Sequence, residues 1–134
     1  MFALPTFAVN RTVKAGGGGD FTTIAGCITA MSASGGDICT VFAGTYAESV
    51  TIKAGTVGSY NTLTVNGSDV VTVTAATMSS HTKLVGNCVA PAAVGTCGFT
   101  FNHTGVCIST VNSATDWYLR ANTLQSCDTI KPAT

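Results

Sequence analysis

Six carboxylates, two histidines and six cysteines are the residues of this 134-residue chain whose types most readily do chemistry. Acid–base work on a glycosidic or ester bond needs two carboxyl groups facing one reacting centre. Asp20, Asp37, Asp69, Asp116 and Asp128 each fall in a predicted turn, cap or tail, and none stands beside a second acid in a strand. Glu48 lies next to a predicted corner and could face a sugar, although a solvent-facing strand charge is the plainer account. His81 and His103 occupy polar, turn-like stretches and read as solvated loop residues rather than as a general base or metal ligands. The stretch "GGGGD" at 16–20 lacks the Lys-Ser/Thr of a phosphate-binding loop and the spacing of a dinucleotide fingerprint, so it reads as a hinge or cap. Trp117 and Tyr118 with Arg120 offer an aromatic face beside a cation, which suits stacking on a sugar ring. Core packing with a snorkelling arginine is the alternative.

No cysteine belongs to a Cys-x-x-Cys pair or has a histidine at metal-ligand spacing, so the six read as disulfides. Six cysteines allow 15 pairings. The preferred set joins Cys27 to Cys39, Cys88 to Cys97 and Cys107 to Cys127, each closing a short segment. Disulfides imply an oxidising compartment, so the expected location is secreted or cell surface. The N-terminus shows no basic segment followed by a long apolar one, and a secretion signal is expected to be already removed or outside this sequence. Asn10, Asn66 and Asn102 begin Asn-x-Ser/Thr sequons, usable for glycosylation in a secretory pathway.

Charged residues are 9% of the chain, and six basic residues cancel six acidic ones. A nucleic-acid partner, which needs a cationic surplus, is therefore not expected. No apolar run approaches the roughly 20 residues of a membrane-spanning helix. No cofactor is expected.

The elements that must position these residues are mostly strands. Thr occurs 23 times and Gly 15 times, a bias toward β-branched strand formers and tight turns. Residues 1–15 read as an extended apolar arm carrying Phe2, Leu4, Phe7 and Val9. Asp20 is placed to cap a helix over about 20–33, whose apolar positions Phe21, Ile24, Cys27, Ile28 and Met31 are three and four apart. From residue 37 to about 127 the pattern becomes short alternating runs, "ICTVFA", "SVTIKA", "NTLTVN", "DVVTVTA", "TKLVG", "GFTFN", "VCISTV" and "DWYLRAN". Residues 16–134 thus form one all-β domain. A solenoid is favoured because one helix leads directly into many short strands and can cover the end of a stacked core. A β-sandwich is the alternative.

Two stretches carry a resemblance: "VKAGGGGDFTTIAGCITAM" at 13–31 and "VFAGTYAESVTIKAG" at 41–55. They resemble the opening of the pectin lyase-like, right-handed parallel β-helix superfamily, in particular its pectinesterase-like branch. "WYLRANTLQSC" at 117–127 resembles a coil strand followed by an inward Asn turn. The resemblance implies a right-handed parallel β-helix with one short N-terminal capping helix, Gly44 at a corner, Tyr46 packed across it, and Val50 and Ile52 pointing inward. The branch's catalytic Gln-Asp-Thr and Asp-Phe-Ile-Phe-Gly settings are absent. The expectation is therefore a non-catalytic, secreted solenoid with a structural or adhesive role, self-assembling through its arm and open end. An alternative is part of a polysaccharide-active enzyme or a glycan-binding module. The pairs Thr62/Thr64 and Thr72/Thr74 suggest a third: an array of such pairs would resemble ice-binding solenoids, with cross-strand Thr pairing as the simpler account.

Overall fold

The structure, a computed structural model, describes residues 7–89, 95–111 and 113–131, the side chains of 102–104 and 123–131 excepted. Over these residues the order is β1 Asn10–Val13, α1 Ile24–Ala30, β2 Ile38–Val41, β3 Gly44–Thr51, β4 Asn61–Val65, β5 Val70–Met78, β6 Thr82–Val85, β7 Gly98–Thr110, β8 Trp117–Arg120 and β9 Thr123–Lys131. The strands form two sheets, β1-β2-β4-β6-β8 and β3-β5-β7-β9. Every ladder is parallel. Each coil gives one strand to each sheet, which makes the fold a parallel β-solenoid and excludes the sandwich, whose sheets are antiparallel.

Period-two alternation decides what faces inward. In the five-stranded sheet Cys39, Leu63, Leu84 and Leu119 are register neighbours in an interior column, beside Val13, Val41 and Val65. In the other sheet Tyr46, Val73 and Phe101 form one column and Val50, Ala76 and Ile108 another. Apart from the half-buried Leu119, all of these are buried. Gly44 follows the bend between β2 and β3, which lie in different sheets, and the Tyr46 ring lies against it. The Tyr46 hydroxyl accepts from Ala15 N at 3.2 Å and donates to Phe42 O at 3.1 Å, fastening the corner. Val50 and Ile52 point inward.

The N-terminal end departs from expectation in three places. Residues 10–13 are not part of an arm but the first strand of the larger sheet, paired with β2. Phe7 and Val9 are exposed, while Phe2 and Leu4 lie outside the described residues. The helix is shorter than 20–33, and its N-cap is Thr23, whose side chain accepts from Gly26 N. Asp20 is engaged elsewhere: its carboxylate accepts from Thr12 N at 2.7 Å and from Thr12 Oγ1 at 2.9 Å. Phe21 continues the cover, donating from N to Thr12 O and accepting at its carbonyl from Lys14 N. The glycine loop, left-handed at Gly17 and Gly18, is thus a return that lays Asp20 and Phe21 along the free edge of β1. This satisfies edge groups that would otherwise template another strand. Helix α1 packs beside β3 and covers the same end of the smaller sheet.

The missing sequence period also has a physical cause. Ile38, Thr62, Lys83 and Tyr118 are register neighbours, so successive coils advance by 24, 21 and 35 residues. The long step contains the 86–97 connection and the extended β7, which runs through the expected break at 103–105 with register irregularities near Gly105. Disulfides join Cys27 to Cys39 and Cys88 to Cys97. Cys107 is also disulfide-bonded, and the side chain of Cys127 lies outside those described.

Candidate functional site

Four of the five carboxylates with described side chains are built into the scaffold. Asp37 is buried and accepts from Val9 N at 2.9 Å, Arg11 Nη1 at 2.9 Å and Ser32 N at 2.8 Å. Burial opposes its ionisation, but these hydrogen bonds outweigh it and hold the carboxyl below its ordinary value. Asp20 is lowered by the hydrogen bonds from Thr12. Asp69 accepts from Ala43 N and Asn66 Nδ2, closing the turn before β5. Glu48, expected beside the corner, turns to the helix: its two oxygens accept from Ile24 N and Ala25 N, so β3 caps the helix of the preceding coil. Asp116 alone of the five points to a surface cluster. The side chains of Asp128 and His103 are not among those described.

That cluster arises because the register stacks two columns at the entry to the larger sheet. Asn61 pairs with Thr82, and Thr82 with Trp117. One residue earlier, Tyr60, His81 and Asp116 share a corner. One residue later, Lys83 and Tyr118 stand side by side on the outer face. His81 and Asp116 have φ of 54° and 52°, a left-handed conformation that His and Asp enter more readily than most side chains. His81 is not a solvated loop residue. Its side chain is 15% exposed, its buried Nδ1 has no hydrogen-bond partner, and Asp116 Oδ2 lies 3.6 Å away.

The Tyr60 ring meets those of His81 and Tyr118 edge-on, with centroids 5.8 and 5.5 Å apart. Lys83 Nζ stands 4.7 Å from the Tyr60 centroid and 5.7 Å from that of Tyr118, within cation–π range. Partial desolvation, with the neighbouring Tyr118 phenol next, raises the Tyr60 pKa above its ordinary value. A pocket of about 360 Å³ adjoins the cluster, lined by Lys83, Val85, Tyr118, Leu119 and Arg120. The expected trio is split by strand alternation: Trp117 packs against the core, while Tyr118 and Arg120 face outward. Neither Lys83 nor Arg120 pairs with a carboxylate among the described residues. An aromatic wall, two cations without a carboxylate partner and one exposed carboxylate can together hold a polar ring by its apolar face and its hydroxyls.

The remaining candidates separate. Thr62 and Thr64 lie on β4, whereas Thr72 and Thr74 lie on β5 in the other sheet, so the pairs do not make one array. Of the sequons, Asn10 is exposed and accepts from Thr40 Oγ1, Asn66 is engaged in its turn, and the Asn102 side chain is outside those described. Asn122 makes the inward turn that its sequence setting suggested, donating to Leu84 O and accepting from Phe99 N. Among the described residues no group of three His, Cys, Asp or Glu is gathered for a metal ion, and no helix is long and apolar enough to cross a membrane.

The grouping of Tyr60 and Lys83 with Asp116 escaped sequence reasoning because nothing local joins them. Only the unequal coil lengths, once known, bring them together. Comparison with protein-family models, curated proteins and solved structures gave no match. The class defined by the fold is the parallel β-solenoid.

Proposed function

We propose that the protein is a non-catalytic, adhesive β-solenoid of an oxidising compartment that holds polysaccharide against the outer face of its larger sheet. The observation that carries this reading is the pocket formed by Tyr118, Lys83 and Arg120 beside Tyr60. The engagement of Asp20, Asp37, Asp69 and Glu48 in caps and turns supports a holding role over a cleaving one. The two disulfides fit an oxidising compartment. Kinship with pectin lyase-like proteins belongs to the same proposal and rests on the residues of the first coil. Affinity electrophoresis through gels containing different polysaccharides tests it. At least one gel should retard the wild type and not the Tyr118→Ala variant, and equal migration of both in every gel would count against the reading.

A second reading, self-assembly, has its own observation. Asp20 and Phe21 cover the edge of β1, whereas among the described residues β8 and β9 stand last in their sheets, and an edge strand accepts an added strand. The exposed Phe7 and Val9 fit such an addition. Electron microscopy should then show filaments that shorten or vanish when residues 1–9 are removed. Isolated particles at high concentration would contradict it.

A further inference from the structure

The phenols of the outer-face cluster have a reactivity separate from ligand binding. Tyr60 and Tyr118 come from different coils, yet their ring centroids are 5.5 Å apart with an interplanar angle of 71°. At this separation the nearest ring atoms are in van der Waals reach. Tyr118 is 53% exposed, so it is open to an oxidant and can rock against its neighbour. Among the described residues the competing electron donors are less open to solvent than Tyr118, Trp117 being half-buried against the core. No described cysteine is free, Met31 and Met78 are buried, and Tyr46 is buried with its hydroxyl bonded.

We propose that Tyr60 and Tyr118 are an oxidative cross-linking site, coupling to an intramolecular dityrosine when hydrogen peroxide and a haem peroxidase are supplied. Each phenol gives up one electron and its hydroxyl proton, leaving a pair of phenoxyl radicals. Hydrogen peroxide takes the two electrons and two protons and becomes two waters. One carbon–carbon bond then forms between positions ortho to the two hydroxyls. The two ring C–H bonds at those positions break, and their hydrogens pass to the oxygens, restoring both hydroxyls and both aromatic rings. The protein loses two hydrogen atoms in all.

The new bond would tie the residue leading into β4 to β8, spanning β6 between them. The disulfides between described cysteines leave that span uncrossed: Cys27–Cys39 joins α1 to β2, and Cys88–Cys97 closes the connection before β7. A covalent clasp there would hold the later coils together, as the first disulfide holds the earlier ones.

The test is oxidation of the dilute, purified protein with peroxide and a haem peroxidase, read by intact mass, dityrosine fluorescence and denaturing electrophoresis. The expected product is a fluorescent monomer lacking two hydrogens, which on digestion yields one peptide pair joining Tyr60 to Tyr118. Tyr60→Phe and Tyr118→Phe, each checked for folding by circular dichroism, should each lower the yield at least tenfold. Dimers as the main product, fluorescence undiminished in either Phe variant, or no dityrosine at all would overturn the proposal. None of these outcomes bears on polysaccharide binding, which retardation in the gels reads separately.

Discussion

Asp37→Ala is the substitution that most sharply probes how the solenoid is closed at its N-terminal end. The carboxylate is 3% exposed and accepts from three donors, two of them backbone N–H groups of the lead-in and of the segment after α1. Its third partner, the Arg11 guanidinium at 2.9 Å, is 21% exposed. Breaking a buried ion pair by removing one member costs about 3–5 kcal/mol. Arg11 keeps some access to water, which favours the lower end, so a loss of about 3 kcal/mol is expected. Against a typical total of roughly 5–15 kcal/mol that is a large fraction, equivalent to a fall of about 10 °C in Tm for a domain this size. A pH signature goes with it. The folded Asp37 carboxyl ionises below its unfolded value of about 3.8, so its stabilisation is complete above that pH and is lost as pH falls through the folded pKa. Urea denaturation at pH 7 and pH 3 measures both effects. The wild type should lose more stability between these pH values than Asp37→Ala does. A cost under about 1 kcal/mol at pH 7, or identical pH dependence in the two proteins, would refute the reasoning.

Three further outcomes follow from other parts of the molecule. Phe101→Ala removes a fully buried ring from the interior column of β7 and should cost about 3–5 kcal/mol by denaturant titration. Glu48→Ala frees Ile24 N and Ala25 N at the start of α1 and should cost about 1 kcal/mol, with faster amide exchange confined to the first helical turn. Gly35→Ala places a methyl group against the Ser59 carbonyl at a residue with φ of 80°; expression of soluble protein should fall sharply, whereas Gly58→Ala, at a similar φ of 76° but with open space around it, should fold with only the smaller cost of its strained backbone.

The strands were legible because alternation is local: "NTLTV" states its inward face residue by residue, and "VVTVTAATM" does so on either side of the slip at Thr74–Ala75. The corner after "CTVFA" was expected from the resemblance of "VFAGTYAESVTIKAG" to a solenoid's first coil, and the chain does change sheets there. Two of the predicted disulfides were readable as short loops. Capping was not. Asp20 looked like an N-cap from its neighbours alone, but its carboxylate pairs with Thr12 across the glycine return, and a residue 25 positions after Thr23 supplies the second cap. The outer-face cluster was hidden more deeply, because Tyr60, Lys83 and Tyr118 meet only if one coil is 21 residues long and the next 35. An unequal insertion such as 86–97 is what single-sequence periodicity cannot align.

The most direct test of the account is incubation of the protein with each retarding polysaccharide, reading retention and bond cleavage in one sample. The account predicts saturable retention that the Lys83→Ala, Tyr118→Ala double variant loses, with no new reducing ends, unsaturated products or released ester groups. Cleavage by the wild type, or retention equal in wild type and double variant, would contradict it.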